Sequence, residues 1–516
     1  MSLLCETVTG ESMAALLAAR DASAGGGGHA DTRADMLELR VDGVVDLDVA
    51  AALAGRAMPV VVTCRAAWEG GRFDGSEEER RRILLQALDL GAEYVDVEWR
   101  AGFDEVVRRD PRRVVVSAHD FVRKPVDLAD QVRAMRATGA GVIKVAYAAA
   151  RLSDTLALGD IAREGDAVVI GMGGSGLPSR LLATRLGSKW TYGGRPHAGA
   201  AIAPGQIPVA RMVEEFRFRS VGPATRLFGV VSTNALHSIS PAMHNRAFAA
   251  SGIDAVYVPL LTDDFDDFLA YARAMGIEGA SVTIPFKLDA LRAADRAEAA
   301  ATTVGAANTL RRGPSGWEAA NTDVEGFLDP LGAVCPDLKG ARATVLGAGG
   351  SARAVISGLV TRGARVSVSA RRGVQAREVA STLGAVVGQW PPSPGSWDVL
   401  VNCTPLGGGA RRDESPLPGY VFDGRVVYDL TYGPGQSALL RDAVAAGCAT
   451  LDGLPMLVAQ AERQFEWWTG QRPERGVMRE AAQAAAGLPT PPPSATPAAS
   501  ESATQDRQDQ QDQQVP

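Results

Sequence analysis

The chain has 516 residues, more than one hydrophobic core usually serves, so two or three domains are expected. Apolar residues make up 46% and charged residues 22%, the balance of a soluble globular protein, and the formal charge of -7 gives no clustered basic face for nucleic acid. No apolar run approaches the ~18 residues that span a bilayer, and five scattered cysteines (Cys5, Cys64, Cys335, Cys403, Cys448) suggest neither a disulfide framework nor a metal site.

The opening MSLLCETVTGES lacks the positive flank and apolar core of a secretory signal. No transit peptide is evident, so a cytoplasmic location is expected, with a plastid left open. Strands are predicted near 4–8, 35–40, 59–64, 93–98, 113–117, 141–146, 167–171 and 189–192. Their cores (VVVTC, YVDVE, RVVVSAH, GVIKVAY, AVVIGM) are continuously apolar, which suits a parallel sheet buried on both faces. Helical stretches intervene, such as SEEERRRILLQALDL, where Ser76 and Glu79 have capping-box spacing. Eight strands alternating with helices over about 215 residues fit an N-terminal (β/α)8 barrel, with a smaller open α/β sheet as the alternative.

The pattern breaks at RFRSVGPATR and restarts at LFGVV, which marks a boundary between a unit at 1–218 and a second α/β unit at 225–335. That unit has strand candidates VYVPL and ASVTIP. From 336 to 450 a third unit opens with the strand ATVLG and the turn GAGGSA, then a helix and the strand RVSVSA. Residues 450–485 return to complete the second unit. From 487 the chain reads TPPPSATPAASESATQDRQDQQDQQ, the composition of a disordered tail.

Active sites of barrels lie at the C-terminal ends of the strands. Glu38 and Arg40 close the second predicted strand, Arg65 follows the third, Glu98 closes the fourth and His119 follows the fifth. Singly these are ordinary surface charges. Lys144, inside the sixth strand in VIKVAY, is less ordinary, because a buried ammonium must be ion-paired or neutral. A neutral amine can attack a ketone to give a Schiff base, and a histidine nearby supplies a base and acid near neutral pH.

The fragments ADMLELRVD, TCRAAWEGG, DVE, SAHDF, IKVA, MGGSGLPSR and APGQ, in that order over 35–206, resemble the type I 3-dehydroquinate dehydratases. The resemblance implies that Lys144 forms an imine with the C3 ketone of 3-dehydroquinate and that His119 removes the C2 proton and protonates the departing C1 hydroxyl. Glu98 would orient His119. Arg180 would pair with the substrate carboxylate, and Glu38, Arg40, Arg65 and Gln206 would hold the ring, with no metal. One departure is Ile202, where that family commonly carries Ser or Thr two residues before Pro-Gly-Gln.

TVLGAGGSAR at 344–353 is a strand, a glycine turn and a helix start, the form that receives a pyrophosphate on backbone amides. The next strand ends in SARR and lacks the acidic residue that grips the ribose of NAD. Arg371 and Arg372 stand there instead and suit the extra phosphate of NADP.

With HSISP, ASVTIPFK, GAANTL, NTDVEGF and DGLPMLVAQ, this loop resembles the shikimate dehydrogenases over 226–485. The resemblance implies a fold of two lobes, a substrate lobe and a Rossmann-type NADP lobe. Lys287 and Asp323 would be the catalytic pair at the carbonyl of 3-dehydroshikimate. Ser238 and Ser240 would bind its carboxylate with Tyr432 near it, while Thr283, Asn308 and Gln460 would hold ring hydroxyls. Gly347, Ala348, Gly349, Gly350, Ser351 and Ala352 would cradle the cofactor phosphates. Departures are STNAL before HSISP, where the family has a Gly-x-Pro turn, Ala370 for an Asn of the phosphate clamp, and Ser281 for Asn.

The product expected of the first half is the substrate expected of the second. A quinate dehydrogenase needs more room beside the carboxylate, and the hydroxyls of Ser238 and Thr283 argue for shikimate. A non-catalytic sensor would have lost one of Lys144, His119, Lys287 or Asp323, and all four stand. The oligomeric state is left open.

Overall fold

In the computed structural model, residues 1–25, 32–195 and 203–488 are described. Ile202, and all of the expected tail beyond residue 488, lie outside them.

The first eight strands are β1 (Leu3–Thr9), β2 (Met36–Arg40), β3 (Val60–Thr63), β4 (Tyr94–Glu98), β5 (Val114–Asp120), β6 (Val142–Ala148), β7 (Ala167–Met172) and β8 (Trp190–Gly193). All neighbours are parallel, in the order β7-β6-β5-β4-β3-β2-β1-β8. The remaining seam between β7 and β8 is drawn together just before β8, where Lys189 N donates to Ala167 O at 2.8 Å and Val169 N to Ser188 Oγ at 3.1 Å. This is the expected eight-stranded α/β barrel, nearly closed.

Period-two alternation sorts its side chains. Val8, Leu37, Val62, Val95, Val116, Val145 and Val169 pack outward against the helices. Cys5, Met36, Val61, Val115, Val142, Val168 and Trp190 fill the interior. The helix Glu77–Asp89 starts as its sequence indicates, with Ser76 Oγ accepting from Glu79 N at 3.1 Å.

The second sheet contains β9 (Arg226–Ser232), β10 (Ala255–Leu261), β11 (Ile277–Val282), β12 (Arg296–Ala297), β13 (Thr309–Gly313) and β14 (Gly316–Ala320), in the order β10-β9-β11-β13-β14-β12. Strands β9, β10 and β11 are parallel, and β13 runs antiparallel to both β11 and β14. The ASVTIP run leaves the sheet after Val282, and Thr283–Phe286 form a turn before the helix Lys287–Arg292.

The third sheet, entirely parallel, contains β15 (Arg342–Leu346), β16 (Arg365–Ser369), β17 (Val386–Val387), β18 (Val399–Asn402), β19 (Val426–Asp429) and β20 (Ala449–Leu451). Its order, β17-β16-β15-β18-β19-β20, reverses direction between β15 and β18. That reversal places a crevice at the C-terminal ends of those two strands, where doubly wound sheets bind ligands. The helices Asp323–Val334 and Leu454–Thr469 connect the two sheets, and the aromatic side of the latter (Phe465, Trp468) packs on Phe228 and Phe248.

Candidate functional site

Polar residues enter the barrel interior one layer above the apolar plug. The Lys144 ammonium donates to Asp96 Oδ2 at 3.0 Å and to Glu38 Oε1 at 3.3 Å, and lies 4.3 Å from the centre of the Tyr192 ring. The lysine is therefore ion-paired, the first of the two states its burial allows. Glu38 also accepts from Thr7 and Thr63, each at 3.1 Å, and Gln206 Nε2 donates to Thr7 Oγ1 at 3.1 Å. Arg65 donates to Asp96 at 2.9 Å, Glu98 at 3.0 Å and Ser117 at 2.8 Å. Burial alone would raise the pKa of Asp96, but the cations of Arg65 and Lys144 outweigh it and hold the carboxylate well below its ordinary range.

His119 stands at the rim. Its Nδ1 lies 2.8 Å from Glu69 Oε1, which also accepts the His119 main-chain N–H at 3.0 Å. With Oε1 as acceptor to both, Nδ1 carries the proton and Nε2 the lone pair. Burial, then the nearby cations of Arg65 and Lys144, push the His119 pKa well below 6.5, so the ring is a neutral base at neutral pH. Burial raises the Glu69 carboxyl to about 7 despite Arg65. Phe121 covers the histidine, with the two rings 6.1 Å apart and 13° from parallel.

The expectation for Glu98 is corrected here. Its Oε1 accepts from Arg65 and from Ala66 N at 3.2 Å, and its Oε2 is held by the fully buried Arg80, so it neither reaches His119 nor lines the cavity. The reason is level: Glu98 pairs in register with Ser117, two residues below His119 and about 6.6 Å down the strand. Glu69, on the short 3-10 turn Ala67–Glu69 after β3, reaches the ring instead. The signal for it was present, since TCRAAWEGG places Glu69 four residues after Arg65 on the cavity rim. Asp96 was also missed, because inside YVDVE it read as part of a buried strand.

The remaining predicted residues line one cavity of about 70 Å³: Glu38, Arg40, Arg65, His119, Lys144, Arg180 and Gln206. Arg40 is tied to Asp42 through two bonds of 2.8 and 2.9 Å. Arg180, by contrast, is fully buried, and among the described residues its guanidinium hydrogen-bonds to the carbonyls of Tyr192 and Pro204, both at 3.4 Å, while its Nε has no partner. Burial lowers its pKa to about 10, so it stays cationic. A buried cation with no carboxylate hydrogen-bonded to it among the described residues suits an anion brought from outside.

A second cavity, of about 440 Å³, collects Ser238, Ser240, Thr283, Lys287, Asn308, Asp323, Ser351, Tyr432 and Gln460. Lys287, at the start of its helix, donates to Asp323 Oδ2 at 2.6 Å and to Ser351 Oγ at 3.1 Å. Asn308 Nδ2 donates to Asp323 Oδ1 at 2.8 Å and to Gln460 Oε1 at 3.3 Å, fixing the carboxylate from its other side. Ser238 Oγ accepts from Ser240 N at 3.2 Å. Burial raises the Tyr432 pKa, so its hydroxyl stays a donor. Ser281 donates to Gln464 at 2.6 Å, and Gln464, which sequence reasoning passed over, lines the cavity too.

The glycine turn closes the far side. Gly347 has φ +108°, a conformation that favours glycine, and sits against Cys403 at the crevice between β15 and β18. The helix Gly350–Thr361 begins there, and a Cβ on Gly350 would lie 2.9 Å from Lys287 Cδ, so glycine brings the turn against the lysine. Gly349 faces open space. At the end of β16, Arg371 and Arg372 are exposed and no carboxylate stands among them. The turn, the open approach and the two cations fit the phosphates of NADP; Ser351 bridges that turn to the lysine-carboxylate pair. No group of three His, Cys, Asp or Glu among the described residues could hold a metal ion, and no described helix is long and apolar enough to cross a membrane.

The chain is similar to known proteins. Residues 5–223 match the family model of type I 3-dehydroquinase, residues 230–310 that of the shikimate dehydrogenase substrate binding domain, and residues 453–483 that of the shikimate 5'-dehydrogenase C-terminal domain. The chain is 32% identical over 472 residues to the chloroplastic bifunctional 3-dehydroquinate dehydratase/shikimate dehydrogenase of Arabidopsis thaliana, covering 85% of this chain and 78% of that protein. It is 38% identical over 266 residues to the shikimate dehydrogenase (NADP(+)) of Methanocella arvoryzae, covering 50% of this chain and 98% of that one. A crystal structure of shikimate 5-dehydrogenase from Thermus thermophilus with NADP(H) and shikimate aligns at 34% identity and a TM-score of 0.46, covering 50% of this chain and 99% of that one. With a barrel, two lobes and a relative matched along most of both lengths, the chain belongs to the family of bifunctional 3-dehydroquinate dehydratase/shikimate dehydrogenases.

Proposed function

We propose that this protein dehydrates 3-dehydroquinate to 3-dehydroshikimate in its barrel, residues 1–218, and reduces that product to shikimate with NADPH in its second half. There, 225–335 and 450–485 form the substrate lobe and 336–450 the cofactor lobe. The observation that carries the reading is the coexistence of two separate cavities, one lined by Lys144 and one by Lys287 and Asp323.

In the first site the Lys144 amine adds to the C3 ketone, and loss of water leaves an iminium. Asp96 and Glu38 hold the lysine in place, and the two protons it sheds on the way to the iminium leave with the carbonyl oxygen as that water. The iminium withdraws electrons, so His119 Nε2 can remove the C2 proton while Glu69 keeps Nδ1 protonated. The resulting enamine expels the C1 hydroxyl, which leaves as water with the proton from His119. Hydrolysis of the iminium then releases 3-dehydroshikimate and restores Lys144. Arg180 binds the substrate carboxylate, Arg40, Arg65 and Gln206 hold the ring, and Glu98 acts as a structural anchor for Arg65 and Arg80.

In the second site Ser238, Ser240 and Tyr432 hold the carboxylate, and Thr283, Asn308 and Gln460 hold the ring. When bound, NADPH would supply a hydride for the C3 carbonyl. Lys287, aimed by its hydrogen bond to Asp323, gives its proton to the new alkoxide. Gly347, Ala348, Gly349, Gly350, Ser351 and Ala352 would hold the cofactor pyrophosphate, and Arg371 and Arg372 its 2'-phosphate.

The test is to supply 3-dehydroquinate and NADPH, identify the product by chromatography, and repeat with Lys144→Ala. Shikimate is expected from the wild type, and from the variant only when 3-dehydroshikimate is added. Borohydride added with 3-dehydroquinate should fix one reduced substrate on the wild type and none on the variant, read by mass spectrometry. Quinate from both proteins would overturn the assignment, and a wild type that takes no label would overturn the imine.

A further inference from the structure

The barrel loop that follows β7 touches both sites' surroundings. On one side Gly173, at φ +83°, donates its N–H to Pro204 O at 3.1 Å, supporting the Pro204–Gln206 segment of the first cavity. On the other side Gly174 is pressed against the second sheet. A Cβ built on Gly174 would lie 2.3 Å from Leu261 Cδ2 and 3.0 Å from Leu236 Cδ1. Its neighbour Ser175 donates to Leu261 O at 2.9 Å.

Leu236 belongs to the turn that leads into the serines of the second cavity. Ala235–His237 form one 3-10 turn, with His237 N donating to Asn234 O at 3.3 Å and Ser238 N to Ala235 O at 3.2 Å. At its base, Ser232 Oγ donates to Ile284 O at 2.9 Å and accepts from Asn234 N at 3.0 Å. The same stretch, STNAL, is where the sequence departs from the Gly-x-Pro turn, and here the barrel supplies a contact at its tip. The contact sits on a fixed base: Asp267 of the second unit accepts the main-chain N–H groups of Leu152 and Ser153 of the barrel at 2.9 and 3.2 Å. The apolar core also runs through, joining Leu177, Leu181 and Leu182 to Val256, Val258 and Phe268.

We propose that the barrel loop Gly173–Ser175 is a positioning element of the dehydrogenase: Gly174 seats Leu236 and thereby sets the height of the turn that presents Ser238 to the substrate carboxylate. Gly174, Leu236 and Leu261 act through Ser238 and do not touch substrate. This rests on the dehydrogenase reading above. It makes the substrate affinity of the second site depend on a residue of the first domain, in a way that the cofactor lobe does not share.

The experiment is shikimate oxidation by NADP+ with the full chain, comparing wild type, Gly174→Ala, and Gly174→Ala with Leu261→Ala. The added methyl displaces two leucine ends; removing the Leu261 side chain makes room for it. Expected are a rise of about 2- to 30-fold in the KM for shikimate in the single variant, the scale of such indirect couplings, with the KM for NADP+ and the melting temperature near wild type. The double variant should return to within about twofold of wild type, a reversal that general damage would not give. An unchanged KM for shikimate in Gly174→Ala overturns the inference alone, as does a rise shared by NADP+ that Leu261→Ala fails to reverse. A wild type that does not oxidise shikimate overturns the dehydrogenase reading, and the inference with it.

Discussion

Replacing Glu69 by Gln tests which carboxylate serves His119. In the wild type a single oxygen accepts both the ring N–H at 2.8 Å and the main-chain N–H at 3.0 Å. A bond to a charged group contributes about 1.5–3 kcal/mol, and each ~1.4 kcal/mol is a factor of ten in rate. The Gln variant should therefore lose about 10- to 150-fold in dehydratase kcat, with dehydrogenase kcat unchanged. The pH profile adds an independent sign. Burial raises the Glu69 carboxyl to about 7, so it is neutral below that pH and ionised above it. Only the ionised form holds Nδ1 protonated, so wild-type kcat should fall as pH drops through about 7. His119, already held well below 6.5, does not account for such a limb. Gln cannot titrate, and the limb should vanish. The assay follows the ultraviolet absorbance of the conjugated product across pH 5.5–9, a range set by about 1.5–2 units on either side of that value. A Gln variant within twofold of wild type that keeps the acid limb would refute the assignment.

Glu98→Ala should act on stability instead. It strips a carboxylate from the buried Arg80 and Arg65, at a cost of about 3–5 kcal/mol. For a unit of this size that lowers the melting temperature by about 6–20 °C, measured by calorimetry. Arg180→Met should do the reverse: the KM for 3-dehydroquinate rises about 10- to 100-fold as a charge-assisted pair with the carboxylate is lost. The melting temperature should hold or rise, because the arginine is buried with its Nε unpartnered. Arg371→Glu with Arg372→Glu should raise the KM for NADP+ about tenfold and leave NAD+ nearly unaffected, the scale expected for two exposed charges at about 0.2–1 kcal/mol each, read from initial rates with both cofactors.

The barrel was legible because its strands are buried on both faces and carry nearly unbroken Val and Ile, so their number and spacing survive in one dimension. The short strands β12, β13 and β14 were not read. They lie in motifs such as GAANTL, whose Asn308 and Thr309 are there for hydrogen bonds, and β12 has only two residues. The glycine turn was legible for a different reason, since positive φ at Gly347 and close approach at Gly350 leave few alternatives to glycine.

Site residues were legible where type alone limits the role, and illegible where height along the barrel decides. Lys144 within an apolar strand needs a partner wherever it sits, and the partner, Asp96, is two strands away with nothing in YVDVE to distinguish it from Glu98. The two acids differ by one strand repeat, about 6.6 Å. That interval puts Asp96 beside Lys144 and gives Glu98 to Arg80, a residue of the helix Glu77–Asp89 that reads as one more charge on a solvated face. The acid that does reach His119 comes from a connecting turn, whose rise above the strands no periodicity encodes. Motif order thus identifies which residues gather, while the register between strands, and the turns that overtop them, decide which pairs touch.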